Sequence, residues 1–259
     1  MEHENSWFKS GAATHVGKVR QQNEDSYLVS TVAGVWAVAD GMGGHSAGDV
    51  ASHTVVEELE RIPPAASAAE LLANCEARIV DANSRLRKLA EARHGDVIGT
   101  TVAVLLVHEE FFACVWAGDS RIYRVRGAAI EQLSVDHTEA QELLTDGKLS
   151  PEEARNWPRR NVITRAIGAY EDLELEMTNG ILAPGDTFVI CSDGLTNHVE
   201  DREILTVAAG HPPQRAADLL IDLTLDRGAT DNVTAVVVRF DPGATVPPRA
   251  VRSSTFVRR

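Results

Sequence analysis

The chain has 259 residues, of which 44% are hydrophobic and 24% charged, and a formal net charge of −13. That length suits one large domain or two small ones, with a composition ordinary for a soluble globular protein. The charge argues against a nucleic-acid partner, no apolar stretch approaches the roughly 20 residues of a membrane span, and the polar start Met1-Glu2-His3-Glu4-Asn5 does not resemble a secretory signal.

Taken in chain order, the segment 14–29 ends in a strand and carries Arg20-Gln21-Gln22-Asn23-Glu24-Asp25. The apolar run Val35-Trp36-Ala37-Val38-Ala39 is a second strand, and Gly41-Met42-Gly43-Gly44 after it reads as a flexible turn. A helix over about 48–61 follows, with Val50, Val55, Leu59 and Ile62 on one stripe, and Pro63-Pro64 stops it. Ser67 with Glu70 three residues on marks the start of another helix, continuing through Leu71, Leu72, Cys75, Ile79, Ala82, Leu86 and Leu89. Strands are expected over 100–107, Phe111–Ala117 and 121–125. Residues 136–161 break this pattern: two short helices around Asp146-Gly147, with Pro151 in a first turn, form a polar surface flap. A strand at Thr187–Cys191, a short helix near 202–209, a last helix opened by Pro212-Pro213 and closed by Gly228, and a strand ending at Phe240 complete the pattern. From Asp241 the composition turns to Pro, Ser and Thr with Arg249, Arg252, Arg258 and Arg259, which reads as a disordered tail. The resulting division is an extension over 1–10, one domain over 11–240 and a tail over 241–259. Of three cysteines, Cys75, Cys114 and Cys191, two sit inside apolar runs, so free buried thiols in a reducing cytoplasm are expected.

Four apolar runs carry an aspartate at one end. Three run into Asp40-Gly41, Asp119 and Asp193-Gly194, whereas Asp231-Asn232 precedes Val233 to Val238. A single Asp-Gly is more often turn chemistry than a ligand. Four with the same placement would repel one another unless a hard divalent cation, which takes oxygen ligands, lay between them.

Six motifs, in order, carry a family resemblance: Val19-Arg20-Gln21-Gln22-Asn23-Glu24-Asp25-Ser26, Ala39-Asp40-Gly41-Met42-Gly43-Gly44-His45, Gly118-Asp119-Ser120-Arg121, Asn161-Val162-Ile163-Thr164-Arg165-Ala166-Ile167-Gly168, Ser192-Asp193-Gly194-Leu195 and Thr230-Asp231-Asn232-Val233-Thr234. Together they resemble the metal-dependent serine/threonine protein phosphatases of the 2C (PPM) family in their bacterial form, over roughly residues 11–240. The resemblance implies an α+β fold, a four-layer αββα sandwich of two antiparallel sheets flanked by helix pairs, with a metal cluster at one end. It implies that Asp40 bridges two Mn²⁺ or Mg²⁺ ions, that the Gly41 carbonyl binds one of them, and that Asp193 and Asp231 complete the other. Asp119 matches a position that with Asp193 holds a third ion, and Asn161 a flap-base position that can offer its carbonyl to it. Glu24 and Asp25 would order metal-bound water from beside the cluster, and Arg20 would clamp the substrate phosphate. Water activated by two such ions would attack phosphorus in line.

Several residues are expected to be scaffold. Arg121 and Arg165 would pair with carboxylates, Trp36 and Trp116 would be core, and His45 takes no catalytic role. Animal members carry His where this chain has Met42, so protonation of the leaving group by that side chain is unavailable here. Rival mechanisms lack their residues. Six positions on from Cys75, Cys114 and Cys191 stand Asp81, Ser120 and Asn197 rather than the Arg a cysteine phosphatase needs. The Gly11…Gly17-Lys18 spacing departs from a nucleotide-binding loop, and no His-Glu-x-x-His is present. Two alternatives stay open: a non-catalytic binding domain of the same fold, and a phosphatase of small phosphate esters. As an enzyme, the expected partners are phosphorylated proteins and a cognate Ser/Thr kinase, and a cytoplasmic monomer is expected.

Overall fold

The computed structural model describes residues 7–43, 47–93 and 98–242. The Gly44-His45 pair, the arginines of the tail and the first six residues lie outside that range.

Two antiparallel sheets form the centre. One has the order β1 (Phe8–His15), β11 (Val233–Phe240), β10 (Thr187–Cys191), β7 (Arg121–Arg126), β8 (Ala129–Gln132). The other runs β2 (Asp25–Ser30), β3 (Val35–Gly43), β5 (Val102–His108), β6 (Phe111–Ala117), β9 (Glu176–Ile181), with β4 (Ile98–Thr100) paired to the end of β3. Helices α1 (Gly48–Glu60) and α2 (Ala68–Ala92) pack on the second sheet. The flap carries α3 (Glu139–Thr145) and α4 (Pro151–Arg155), and α5 (Asp193–Thr196) is a single turn. Helices α6 (Asp201–Gly210) and α7 (Pro213–Asp226) cover the first sheet. The arrangement is the expected four-layer αββα sandwich.

The continuous apolar runs arise because both faces of each sheet are covered. Along β3, Val35, Ala37 and Ala39 face α1 and α2, while Trp36 and Val38 face the other sheet. Along β6, Phe111, Ala113, Val115 and Ala117 point one way and Phe112, Cys114 and Trp116 the other. Along β11, Val236, Val238 and Phe240 enter the intersheet layer, and Val233, Ala235 and Val237 meet α6 and α7. Period-two alternation therefore survives inside runs that are wholly apolar. Where such a run stops, the sandwich ends, and there the aspartates stand.

The helix starts follow their caps. Ser67 Oγ accepts from Glu70 N at 3.1 Å, and Ser150 forms a reciprocal capping box with Glu153 before Pro151.

Four strands escape the sequence pattern. β4 pairs with Gly41, Met42 and Gly43, which extend β3 where a flexible turn was expected. β8 (Ala-Ile-Glu-Gln) and β9 (Glu-Met-Thr-Asn-Gly-Ile) lie at sheet edges with half their residues exposed, so they lack an apolar run. β1 begins at Phe8, three residues before the domain start drawn at residue 11, because Phe8 is buried against Trp36 and Phe240 and pairs with Phe240 in the ladder. At the other end Asp241 N donates to Trp7 O at 2.7 Å, so strand-like bonding continues one residue past Phe240. The three cysteines are free and buried. No helix among the described residues is long and apolar enough to cross a membrane.

Candidate active site

Asp40 and Asp25 face each other in the β2–β3 ladder, at the end where the sheet opens. The Asp40 backbone is fixed by a threonine pair: Thr101 N and Thr100 Oγ1 both donate to Asp40 O at 2.9 Å, and Asp40 N donates to Thr101 Oγ1 at 3.0 Å. Thr101 Oγ1 also bonds Ser120 Oγ at 2.7 Å, which ties Asp40 to the Gly118-Asp119-Ser120 turn. The backbone groups of Asp40 are thereby satisfied without its carboxylate.

Asp193 opens α5 directly after β10, and Asn197 Nδ2 donates to its Oδ2 at 3.1 Å. Gly194 is required there, since a Cβ would stand 1.8 Å from Asn232 O. Asp231 precedes β11 and accepts from Arg20 Nη2 at 2.7 Å. The residue expected to hold phosphate is thus paired with one expected to hold metal, and both side chains remain partly exposed.

Asn232 positions the whole Arg20 loop. Its Oδ1 accepts from Glu24 N at 2.8 Å, and its Nδ2 donates to Val16 O and Gln22 O at 2.9 Å. Glu24 O accepts from Gly41 N at 3.1 Å, and the Glu24 carboxylate accepts from Gly48 N–H at the start of α1, where a helix favours negative charge. Asp25 is buried, with Ser192 Oγ and Thr234 Oγ1 donating to its Oδ2 at 2.8 and 2.7 Å. Its Oδ1 is buried with no hydrogen-bond partner among the described residues.

The electrostatics follow from crowding. Burial, then Asp25, Asp193, Asp119 and Asp231, holds the Asp40 carboxyl well above the usual range. Burial outweighs the hydroxyl bonds at Asp25 and pushes it up to about 7. Asp119 is pushed up to about 7 by burial and then by Asp193. Asp193 is raised by burial and Asp231, with Asn197 opposing. Glu24 is raised by burial, partly offset by the Gly48 N–H. Carboxylates held above their ordinary range by burial and by one another are those a bound cation would relieve.

Among the described residues, no group of three or more His, Cys, Asp or Glu side chains is set as a ready metal cage. The donor chemistry nonetheless fits a hard divalent ion: the convergent groups are all oxygens, and the orphaned Asp25 Oδ1 wants a hydrogen-bond donor such as an ordered water.

Thr100 and Thr101 were not singled out in the sequence, and Ser192 and Asn232 stood in the motifs with no role assigned. Their signal is polarity inside or beside fully buried strands, since each is at most 6% exposed. The expected scaffold assignments are seen: Arg121 makes a forked pair with Asp136, and Arg165 reaches Glu176 at 2.8 Å and Glu174 at 3.5 Å. Trp36 and Trp116 are core, donating to Ser10 Oγ and Val135 O. Asn161 is exposed at the exit of the flap.

The family described as Protein phosphatase 2C matches residues 14–224. The serine/threonine protein phosphatase PstP of Mycobacterium tuberculosis is 37% identical over 244 residues, covering 93% of this chain and 47% of PstP. The chain therefore spans about half the length of that curated relative. Among solved structures, one described as PppA, a key regulatory component of T6SS in Pseudomonas aeruginosa, superposes with a TM-score of 0.84 at 42% identity. It covers 90% of this chain and 97% of that one. The catalytic domain of PstP in complex with two manganese ions superposes with a TM-score of 0.81 at 34% identity, covering 90% and 97%.

Proposed function

Because the chain belongs to the protein phosphatase 2C family, we propose that it is a metal-dependent serine/threonine protein phosphatase, hydrolysing phosphoserine and phosphothreonine monoesters. The observation that carries this is the placement of Asp25 opposite Asp40 in the β2–β3 ladder, with Asp119, Asp193 and Asp231 at the same end of the sandwich and Arg20 paired to Asp231. The two manganese ions in the PstP catalytic domain support a dinuclear centre here.

Asp40, the Gly41 carbonyl, Asp193 and Asp231 are the residues proposed to hold the core pair of Mn²⁺ or Mg²⁺. Asp119, with Asp193 and Asn161, is proposed for a third ion. Bound there, the ions would supply an activated water nucleophile and neutralise charge on the phosphoryl group. Thr100 and Thr101 fix the backbone that carries Asp40, and Asn232 fixes the loop that carries Arg20 and Glu24. Arg20 would turn its planar fork from Asp231 to the phosphate oxygens. Glu24 and Asp25 would accept hydrogen bonds from water at the centre. Met42 offers no proton to the leaving alkoxide. Phosphorylated proteins are the proposed substrates, and the kinase that makes them the proposed functional partner.

A test separates this from a non-catalytic binding domain and from a small-ester phosphatase. Hydrolysis of p-nitrophenyl phosphate and of a phosphothreonine peptide is expected with Mn²⁺ and lost with EDTA. No turnover of either points to the binding domain, and turnover of the ester without the peptide to the small-ester enzyme.

A further inference from the structure

The segment that follows the flap walls a cavity of about 340 Å³, a volume that accommodates one long side chain. We propose that this cavity is a substrate subsite that takes an arginine side chain lying a few residues from the phosphorylated residue. It rests on the phosphatase activity proposed above and supplies a feature of the substrate that the acidic centre, which reads only phosphate, leaves open.

The charge of the walls points to a cation. Glu171, Asp172 and Glu174 line the cavity against one arginine, Arg165. Arg165 is already committed: its Nη1 donates to Glu176 Oε1 at 2.8 Å, outside the lining, and its Nε lies 3.5 Å from Glu174. Glu171 touches Arg87 at 3.6 Å with 81% of its side chain exposed, so that pair contributes little. Asp172 has no ion pair among the described residues. The walls therefore carry a net negative charge.

The apolar part favours arginine over a bare ammonium. Leu173 is half-buried against the α2 core, while Tyr170 lines the cavity with 53% of its surface exposed. A guanidinium stacks on such a ring while its methylene stem lies on Leu173.

The loop is preformed. Asn83 of α2 accepts from Gly168 N at 2.6 Å and donates to Tyr170 O at 3.1 Å, and Gly168 holds a φ of +91° against Ile98 O. A subsite built this way loses little entropy on binding.

Its place relative to the centre sets the spacing. Gly41 pairs with Thr100, and Thr100 exchanges two backbone bonds with Ile167, the neighbour of the lining residue Ala166. Two strand spacings separate the Gly41 backbone from Ile167, about 10 Å, and an extended peptide advances about 3.3 Å per residue. The arginine is accordingly expected at least about three residues from the phosphorylated one.

The experiment scans one arginine across an otherwise alanine-rich phosphothreonine peptide, from five residues before to five after, with Mn²⁺ present. Wild type is compared with Glu171→Gln/Asp172→Asn, with Tyr170→Ala, and with Asp218→Asn/Asp222→Asn on the distant α7 as a charge-matched control. The expected result is a kcat/KM at least fivefold above the alanine peptide at one spacing, falling below twofold in the two cavity variants and kept in the control. Hydrolysis of p-nitrophenyl phosphate should be unchanged in all three. The subsite is overturned if no spacing exceeds twofold, if the preference survives both cavity variants, or if the control removes it equally. Should wild type hydrolyse neither ester nor peptide, the activity itself fails, and fluorescence anisotropy of the same peptides then decides. Tighter binding of the arginine peptide, lost in the cavity variants, keeps the subsite, and equal binding removes it.

Discussion

His137 and Gly118 hold each other through two hydrogen bonds: His137 N donates to Gly118 O at 2.9 Å, and Gly118 N donates to His137 Nδ1 at 3.1 Å. Gly118 directly precedes Asp119 and adopts a φ of +108° against Thr101. His137 opens the flap, its carbonyl accepts from Thr164 N at 2.9 Å where the flap ends, and its ring stacks on Trp116. One buried histidine, through its ring and its backbone, thus joins both stems of the flap to the turn that precedes Asp119.

His137→Ala removes the acceptor for a buried N–H and a stacked ring. A stability loss of about 1–3 kcal/mol is expected in urea unfolding. Unchanged stability would show that the flap stem is held elsewhere.

Stability without metal should fall as pH rises from about 4 to 8. Asp25, Asp40 and Asp119 titrate above the unfolded carboxylate range, near pH 7 for Asp25 and Asp119. The native state therefore binds more protons than the unfolded chain in that window, and the stabilisation present below the unfolded value is lost through the folded one. His137 works in the opposite sense. Burial and Arg165 hold it below its ordinary value, so its contribution is lost as pH falls below about 6.5. The carboxylates outnumber it. Thermal melts in EDTA should give a lower Tm at pH 8 than at pH 5.5, and saturating Mn²⁺ at pH 8 should reverse the drop by about 2.7 kcal/mol at a hundredfold over Kd. A Tm that rises with pH in EDTA would contradict this.

Asp40→Ala and Asp193→Ala should each reduce kcat for p-nitrophenyl phosphate by 10³-fold or more, on the order of 4 kcal/mol. Because each removes one of several crowded carboxylates, neither should lower the metal-free Tm at pH 8. A variant that retains turnover within tenfold is not at the centre.

Arg20→Ala should cost about 2 kcal/mol in kcat/KM on a phosphopeptide, chiefly through KM. It also frees Asp231 from its 2.7 Å partner. Steady-state kinetics equal to wild type would remove Arg20 from the site.

Replacing residues 142–154 by a short Gly-Ser linker should change phosphopeptide preference while sparing small-ester turnover. The segment is largely exposed, and His137, Thr138 and Val162–Thr164 at its stem are retained. Loss of ester turnover as complete as in Asp40→Ala would place the flap in the catalytic machinery.

Most of the sandwich was legible because covered strands need apolar runs, and β3, β5, β6, β10 and β11 display them, whereas β7 shows only Ile122, Tyr123 and Val125 between arginines. The aspartates were legible for the same reason, as carboxylates standing where those runs stop. Edge strands β8 and β9 bury only one side and left no such trace, and β1 became a strand only because β11 offers it a ladder from Phe240 to Val233. Nor could spacing reveal that Thr101 sits between Asp40 and Ser120, or that Asn232 holds Val16, Gln22 and Glu24. Chain patterns report which side chains must leave water. Which donor meets which carboxylate depends on contacts across some 200 residues of sequence, and those exist only once the two sheets have closed on each other.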